Sequence, residues 1–131
     1  MPTPVTINDQ TPSGERTHSF TLDFMTSHVT VRQLIRSRIY QEVEDYNVKK
    51  GATFHGLVQP ADTETSSNGF KMNNPREINW KTQFEKALEG FQRSAYHIFI
   101  DDKQVKRLDE EVDLKPGTQV SFVKQSPLVG G

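Results

Sequence analysis

Between residues 18 and 24 the chain alternates strictly. Phe20, Leu22 and Phe24 fall on one side of an extended backbone, and Ser19, Thr21 and Asp23 on the other. A strand with one apolar face needs something to cover it, and the sequence supplies it a few residues later. Val31, Leu34, Ile35, Ile39, Val43 and Tyr46 recur at spacings of three and four, which makes one stripe along a helix, while Arg32, Arg36, Arg38, Gln41 and Glu44 occupy much of the remainder. Thr30 and Gln33 have the Thr-x-x-Gln spacing of a capping box at its start, and Gly51 after Lys49 and Lys50 is the expected stop. A one-sided strand beside a one-striped helix predicts an α+β fold with the helix on one face of a sheet.

The other elements agree with this frame. Residues 4–8 alternate as a short first strand, and the proline, serine and glycine of residues 10–15 predict the turn of a hairpin. Residues 96–100 are β-branched and aromatic, a turn at residues 101–103 leads to a short strand at 104–108, and residues 118–124 form a closing strand. Pro116 and Gly117 suit the two central positions of a type II turn before it. If the first and last strands are adjacent and parallel, the helix is a crossover between them.

Residues 51–77 break the pattern. Residues 62–69 are polar without period, so a loop is expected at about 60–75 whose edges pack through Phe54, Leu57, Val58, Phe70 and Met72 while its middle stays mobile. A second helix should follow, capped by Asn79, with Trp80, Phe84, Ala87, Leu88 and Phe91 on one face.

Composition removes several function classes. The 131 residues suit a single domain; 16 basic and 17 acidic residues give a net charge of -1, which offers no bulk attraction for nucleic acid or an acidic membrane. No cysteine is present, so thiol catalysis, cysteine-bound zinc and disulfides are excluded. No run approaches the ~20 apolar residues of a membrane span, and the polar start is unlike a signal peptide, so a cytoplasmic location is expected. His18, His28, His55 and His97 lack metal-ligand spacing, and no nucleophile–base pair, carboxylate pair or phosphate-cradling glycine loop is visible. The chain is therefore expected to be neither an enzyme nor a metal or cofactor carrier.

The sequence ends Pro127-Leu128-Val129-Gly130-Gly131 directly after the closing strand. Hairpin, helix and later strands, then Leu114, Pro116, Gly117, Val120 and Phe122 and a proline-bearing Gly-Gly tail, resemble the β-grasp fold of ubiquitin-like proteins. The end is similar to those of bacterial sulfur carriers of molybdopterin and thiamine synthesis. The resemblance covers residues 1–50 and 95–131; residues 51–94 are longer than the family's usual connection. It implies a mixed sheet packed on one main helix in a domain of residues 1–126, with an insertion at about 51–94 and a flexible tail at 127–131. It also implies an activity. Gly131 would carry the reacting carbonyl and Gly130 give access to it, while Pro127, Leu128 and Val129 fill pockets of a ubiquitin-activating-type adenylating enzyme that consumes ATP. A conjugating enzyme, a deconjugating protease and target proteins would follow for a modifier; a sulfur carrier would bear a thiocarboxylate; a non-conjugated adaptor would only bind partners. The tail lacks the arginines of ubiquitin's own tail, so ubiquitin's enzymes are not expected to accept it.

One surface is singled out by alternation. Ile98 and Ile100 should face the helix, placing His97 and Phe99 on the outer face beside Ser121 and Val123. His97, Phe99 and Val123 then either form an exposed apolar spot that partners recognise or lie beneath the insertion or second helix. The acidic run Asp109, Glu110 and Glu111 reads as a solvated turn.

Overall fold

In the computed structural model, which describes residues 2–66, 69–73 and 76–125, the hairpin joins β1 (Thr3–Gln10) to β2 (Arg16–Phe24). Its register sets Val5 opposite Leu22, Ile7 opposite Phe20 and Asp9 opposite His18. The turn closes through Thr11 N–H to the Glu15 carbonyl at 2.9 Å, with Gly14 at φ +92°, a conformation that suits glycine. A short β3 (His28–Thr30) leads into α1 (Val31–Lys49). The capping box forms as expected: Gln33 N–H donates to the Thr30 hydroxyl at 3.2 Å, and Thr30 N–H to the Gln33 side chain at 2.8 Å. The C-terminal stop differs from expectation. Lys50, not Gly51, takes the left-handed conformation (φ 46°, ψ 48°), which costs about 1–2 kcal/mol for a residue with a Cβ. Its N–H satisfies the Tyr46 carbonyl at 2.6 Å, and its ammonium lies 3.7 Å from Glu77.

Half of the expected loop over residues 60–75 is paired strand, and its residues 67, 68, 74 and 75 lie outside the described residues. β4 (Thr53–Phe54), β5 (Thr63–Ser66) and β6 (Gly69–Met72) form a sheet in the order β4-β6-β5. Ser66 pairs with Gly69 and Thr63 with Met72. The β-branched Thr63 and Thr65 favour extended backbone, and backbone pairing satisfies the ladder without an apolar pattern. α2 (Trp80–Gln92) follows, its Asn79 side chain accepting from the N–H groups of Lys81 and Thr82.

β7 (Tyr96–Ile100) turns into β8 (Lys103–Val105) through Asp101 and Asp102, both at positive φ, the geometry of a two-residue type I′ hairpin. β9 (Glu111–Asp113) pairs with β3, and β10 (Gln119–Lys124) closes the chain's main sheet. Before β10, Thr118 N–H donates to the Lys115 carbonyl at 2.9 Å with Gly117 at φ +86°, as the Pro116-Gly117 turn requires. The main sheet has the order β2-β1-β10-β7-β8, with β1 and β10 parallel at its centre. This is an α+β fold of two helices and a mixed sheet of five strands.

The inward positions of these strands carry Val5, Ile7, Leu22, Ile98, Val120 and Phe122, which form one buried cluster with the α1 stripe. Arg38 belongs to that cluster, against the expectation that it sits on the solvent face: its side chain is 0% exposed. It donates bidentately to Asp9, at 2.5 and 2.7 Å, and through Nε to Glu42 at 3.2 Å. Its guanidinium also lies 4.4 Å from the Phe122 ring centre. Glu42 uses its other oxygen to accept Leu57 N–H at 3.1 Å, so β1, α1 and the insertion meet at one cation. Burial pushes the Asp9 carboxyl up, but the Arg38 charge and hydrogen bonds bring it below the ordinary carboxylate range. Burial raises Glu42, and Arg38 and Leu57 N–H offset that only in part.

Arg38→Met would leave two buried carboxylates without their cation, and we expect a loss of about 3–5 kcal/mol in urea unfolding. The triple variant Asp9→Leu/Arg38→Met/Glu42→Gln, which buries no charge, should lose less. Equal stability of Arg38→Met and the parent would contradict the assignment.

Candidate functional site

The closing strand places the root of the tail. β10 runs antiparallel to β7, and Gln125 N–H continues the ladder by donating to the Ala95 carbonyl at 2.8 Å. The residues expected to react or dock, Gly131, Gly130, Pro127, Leu128 and Val129, lie outside the described residues.

The outer-face residues are brought together. Val123 is directly opposite His97, and Ser121 opposite Phe99; all four are half-buried. Around them runs a polar row. Asn8 donates to Gln119 at 2.9 Å and accepts from Ser19 at 2.9 Å, and Gln104 lies 3.3 Å from His97 Nδ1. The second helix is on the opposite side. α2 packs on α1, and its Ala87 carbonyl accepts from the Tyr96 hydroxyl at 2.6 Å, Tyr96 being inward like Ile98. The insertion also meets the inward side, through His18–His55 stacking and through Lys124 above the Phe70 ring. Of the two alternatives for His97, Phe99 and Val123, burial beneath α2 is therefore removed.

A second convergence was not foreseen from sequence. A cavity of about 380 Å³ opens between β2, the C-terminal half of α1 and the segment around β4. Phe20, Tyr46 and Phe54 supply aromatic walls, Asp45 a carboxylate, and His18 and His55 a pair of stacked imidazoles 5.2 Å apart and 17° from parallel. Burial lowers the His18 pKa, and His55, Arg38 and Lys124 add to the effect against the pull of Asp9. Burial likewise lowers Lys124, with Arg38 adding to it and Asp9 and Glu42 opposing. The available signal was parity: His18 follows the inward phase of Phe20 and Leu22, and Lys124 that of Val120 and Phe122.

The acidic run does more than face solvent. With the residue before it, its backbone closes the start of α1: the Glu110 and Leu108 carbonyls accept from Val31 and Arg32 N–H at 2.9 and 3.0 Å, meeting orphan donors of the first turn. Glu111 lies 3.3 Å from His28 Nε2, and Asp113 lies 2.7 Å from Nδ1. The carboxylates occupy opposite ring nitrogens, so the trio is not a metal set, and no group of three metal-ligating residues occurs among the described residues. No helix among them is long and apolar enough to cross a membrane.

The hydrogen bonds to Asp113 and Glu111 raise the His28 pKa. Any stabilisation from this contact is full below the unfolded value of about 6.5 and is lost as pH rises through the folded value. In an NMR titration His28 should titrate above 6.5, and Asp113→Asn should bring it down; a midpoint at or below 6.5 in the parent would refute the contact.

No family model, curated protein or solved structure matches this chain.

Proposed function

We propose that this is a ubiquitin-like β-grasp protein modifier, cytoplasmic in location, whose Gly131 carboxylate is adenylated and then conjugated to target proteins. The carrying observation is the placement of β10. It is the central strand of the sheet, parallel to β1, and it leads within a few residues to Pro127, Leu128, Val129, Gly130 and Gly131. The order β2-β1-β10-β7-β8 with α1 between the hairpin and the later strands agrees with the β-grasp resemblance.

The chemistry follows from the terminal group. A carboxylate with a pKa of about 3.5 is ionised at neutral pH and does not react with amines. In the proposed route a Gly131 oxygen attacks the α-phosphorus of ATP, pyrophosphate leaves, and an acyl adenylate results. A thiolate of the activating enzyme displaces AMP to give a thioester, and a target amine then displaces the thiolate to give an amide. Glycine at both terminal positions lets the backbone thread a narrow channel, with Pro127, Leu128 and Val129 filling enzyme pockets in an extended mode. Gly131 serves equally whether it ends the chain as made or is freed by a protease. His97, Phe99 and Val123 form the surface proposed for partners, and the insertion enlarges what such enzymes can recognise.

The likeness of residues 112–131 to bacterial sulfur carriers favours a second reading, in which the adenylate is converted to a thiocarboxylate. Intact mass after incubation with ATP and a candidate activating enzyme separates the two. A higher-mass conjugate is expected for the modifier, and exchange of one oxygen for one sulfur for the carrier. If deletion of Gly130 and Gly131 leaves every modified species and cellular interaction unchanged, both readings fail and the binding-only adaptor stands.

A further inference from the structure

One wall of the cavity is a face of α1, made by Gln41, Glu42, Asp45, Tyr46 and Lys49. Steps of one, three, one and three residues keep these side chains on one side of a helix, so the second half of α1 turns that side to the cavity. The facing wall comes from Phe20 and Thr21 on β2 and from Thr53 and Phe54 of β4. Much of the lining is aromatic. Tyr46 meets Phe54 edge to face with ring centres 5.5 Å apart, and Phe20 lies tilted against His18 at 5.4 Å. At about 380 Å³ the space is near the lower end of the roughly 300–1,000 Å³ range of small-molecule sites, and suits a ligand built on a single ring system.

The charged groups on this helix face differ in what they are free to do. Glu42 is engaged inside the fold by Arg38 and Leu57 N–H. Asp45 and Lys49 are exposed at the cavity mouth, one helical turn apart. Asp45 accepts from Gln41 at 2.9 Å through Oδ1, and among the described residues its Oδ2 has no hydrogen-bond partner. Asp45 and Lys49 do not close an ion pair with each other, although a spacing of four residues is one at which such pairs form, and among the described residues Lys49 is in no other ion pair. A carboxylate and an ammonium thus stand side by side over an aromatic cavity. An anionic ligand meets Asp45 there and a cationic one meets Lys49, whereas a ligand bearing both charges beside its ring is matched at each. We propose that the cavity is a binding site for a small aromatic zwitterion, with the chemistry of a free aromatic α-amino acid. Its ring lies among Phe20, Tyr46 and Phe54, its ammonium is held by Asp45 and its carboxylate by Lys49. Ring burial supplies the attraction, and the two charge-assisted contacts set the orientation. No step of this depends on the chemistry of Gly131.

The test is a titration of the isotope-labelled full chain, followed by NMR at neutral pH, with three probes. These are L-phenylalanine, phenethylamine, which lacks the carboxylate, and hydrocinnamate, which lacks the ammonium. L-Phenylalanine should move the amides of Thr21, Gly51, Thr53 and Phe54 saturably, with a Kd of about 1 mM or tighter. Val112 and Leu114, beside the opposite end of α1, should hold steady. Each single-charge probe should bind at least tenfold more weakly. Asp45→Asn should lower the affinity for L-phenylalanine to that of hydrocinnamate for the parent, and Lys49→Gln should lower it to that of phenethylamine. Both side chains are exposed, so both variants should keep the parent's urea midpoint and its spectrum away from the cavity. Absence of a saturable shift at the cavity amides would overturn the proposal. Binding of either single-charge probe as tight as that of L-phenylalanine would overturn it too, as would parental affinity in both variants.

Discussion

A buried arginine organises this fold. Arg38 is a single cation held between Asp9 on the first strand and Glu42 one turn further along its own helix, and Glu42 in turn holds Leu57 of the insertion. Taking three charges out of water costs more than a hydrophobic contact of the same size would, so the cluster is weak evidence for stability. Its geometric demand is stronger. The bidentate contact is satisfied in one rotation and one translation of α1 against β1, and Leu57 N–H finds its acceptor only when the insertion is seated. No buried side-chain nitrogen or oxygen among the described residues lacks a partner, so the polar interior is closed as a unit.

The cluster lies on one of the two faces of the main sheet. On the inward side lie α1, α2, the insertion sheet and the ionisable residues at one end: Asp9, His18, Arg38, Glu42 and Lys124. On the outward side a row of amides and hydroxyls surrounds Phe99 and Val123, and among the described residues both helices lie on the other side. The long connection that departs from the β-grasp resemblance is thus accommodated beside α1, and the outer face keeps the character of a surface.

Much of this was legible in the residues. The alternation at 18–24, the stripe from Val31 to Tyr46, the Thr30–Gln33 box and the Pro116-Gly117 turn each carry a local signal, and each element formed where its signal lay. Element order left the parallel pairing of β1 with β10 as a condition only, and the register of the two strands supplies it. Arg38 was misplaced because charge was taken as evidence of solvent, although 31, 34, 35, 38, 39, 42, 43 and 46 form an unbroken helical stripe. Asp9 and Lys124 continue the inward phase of their strands in the same way. The β5–β6 pair was missed for a different reason. Its strands lack apolar alternation, and backbone hydrogen bonding leaves no pattern in side-chain hydropathy. For the candidate site, His97, Phe99 and Val123 were legible from parity, whereas the His18–His55 contact joins residues far apart in sequence and has no local signature.

The central claim is that Asp9 is an ionised carboxylate inside the fold, held there by Arg38. Its contribution is present above the unfolded value of about 3.9 and is lost as pH falls through the lower folded value. Following the Asp9 side-chain carboxyl by carbon NMR through acid titration measures this directly. The account predicts that it stays ionised below pH 3.8, and that it takes up its proton only as the protein unfolds. Titration at or above 3.8 in a chain that is still folded would contradict it.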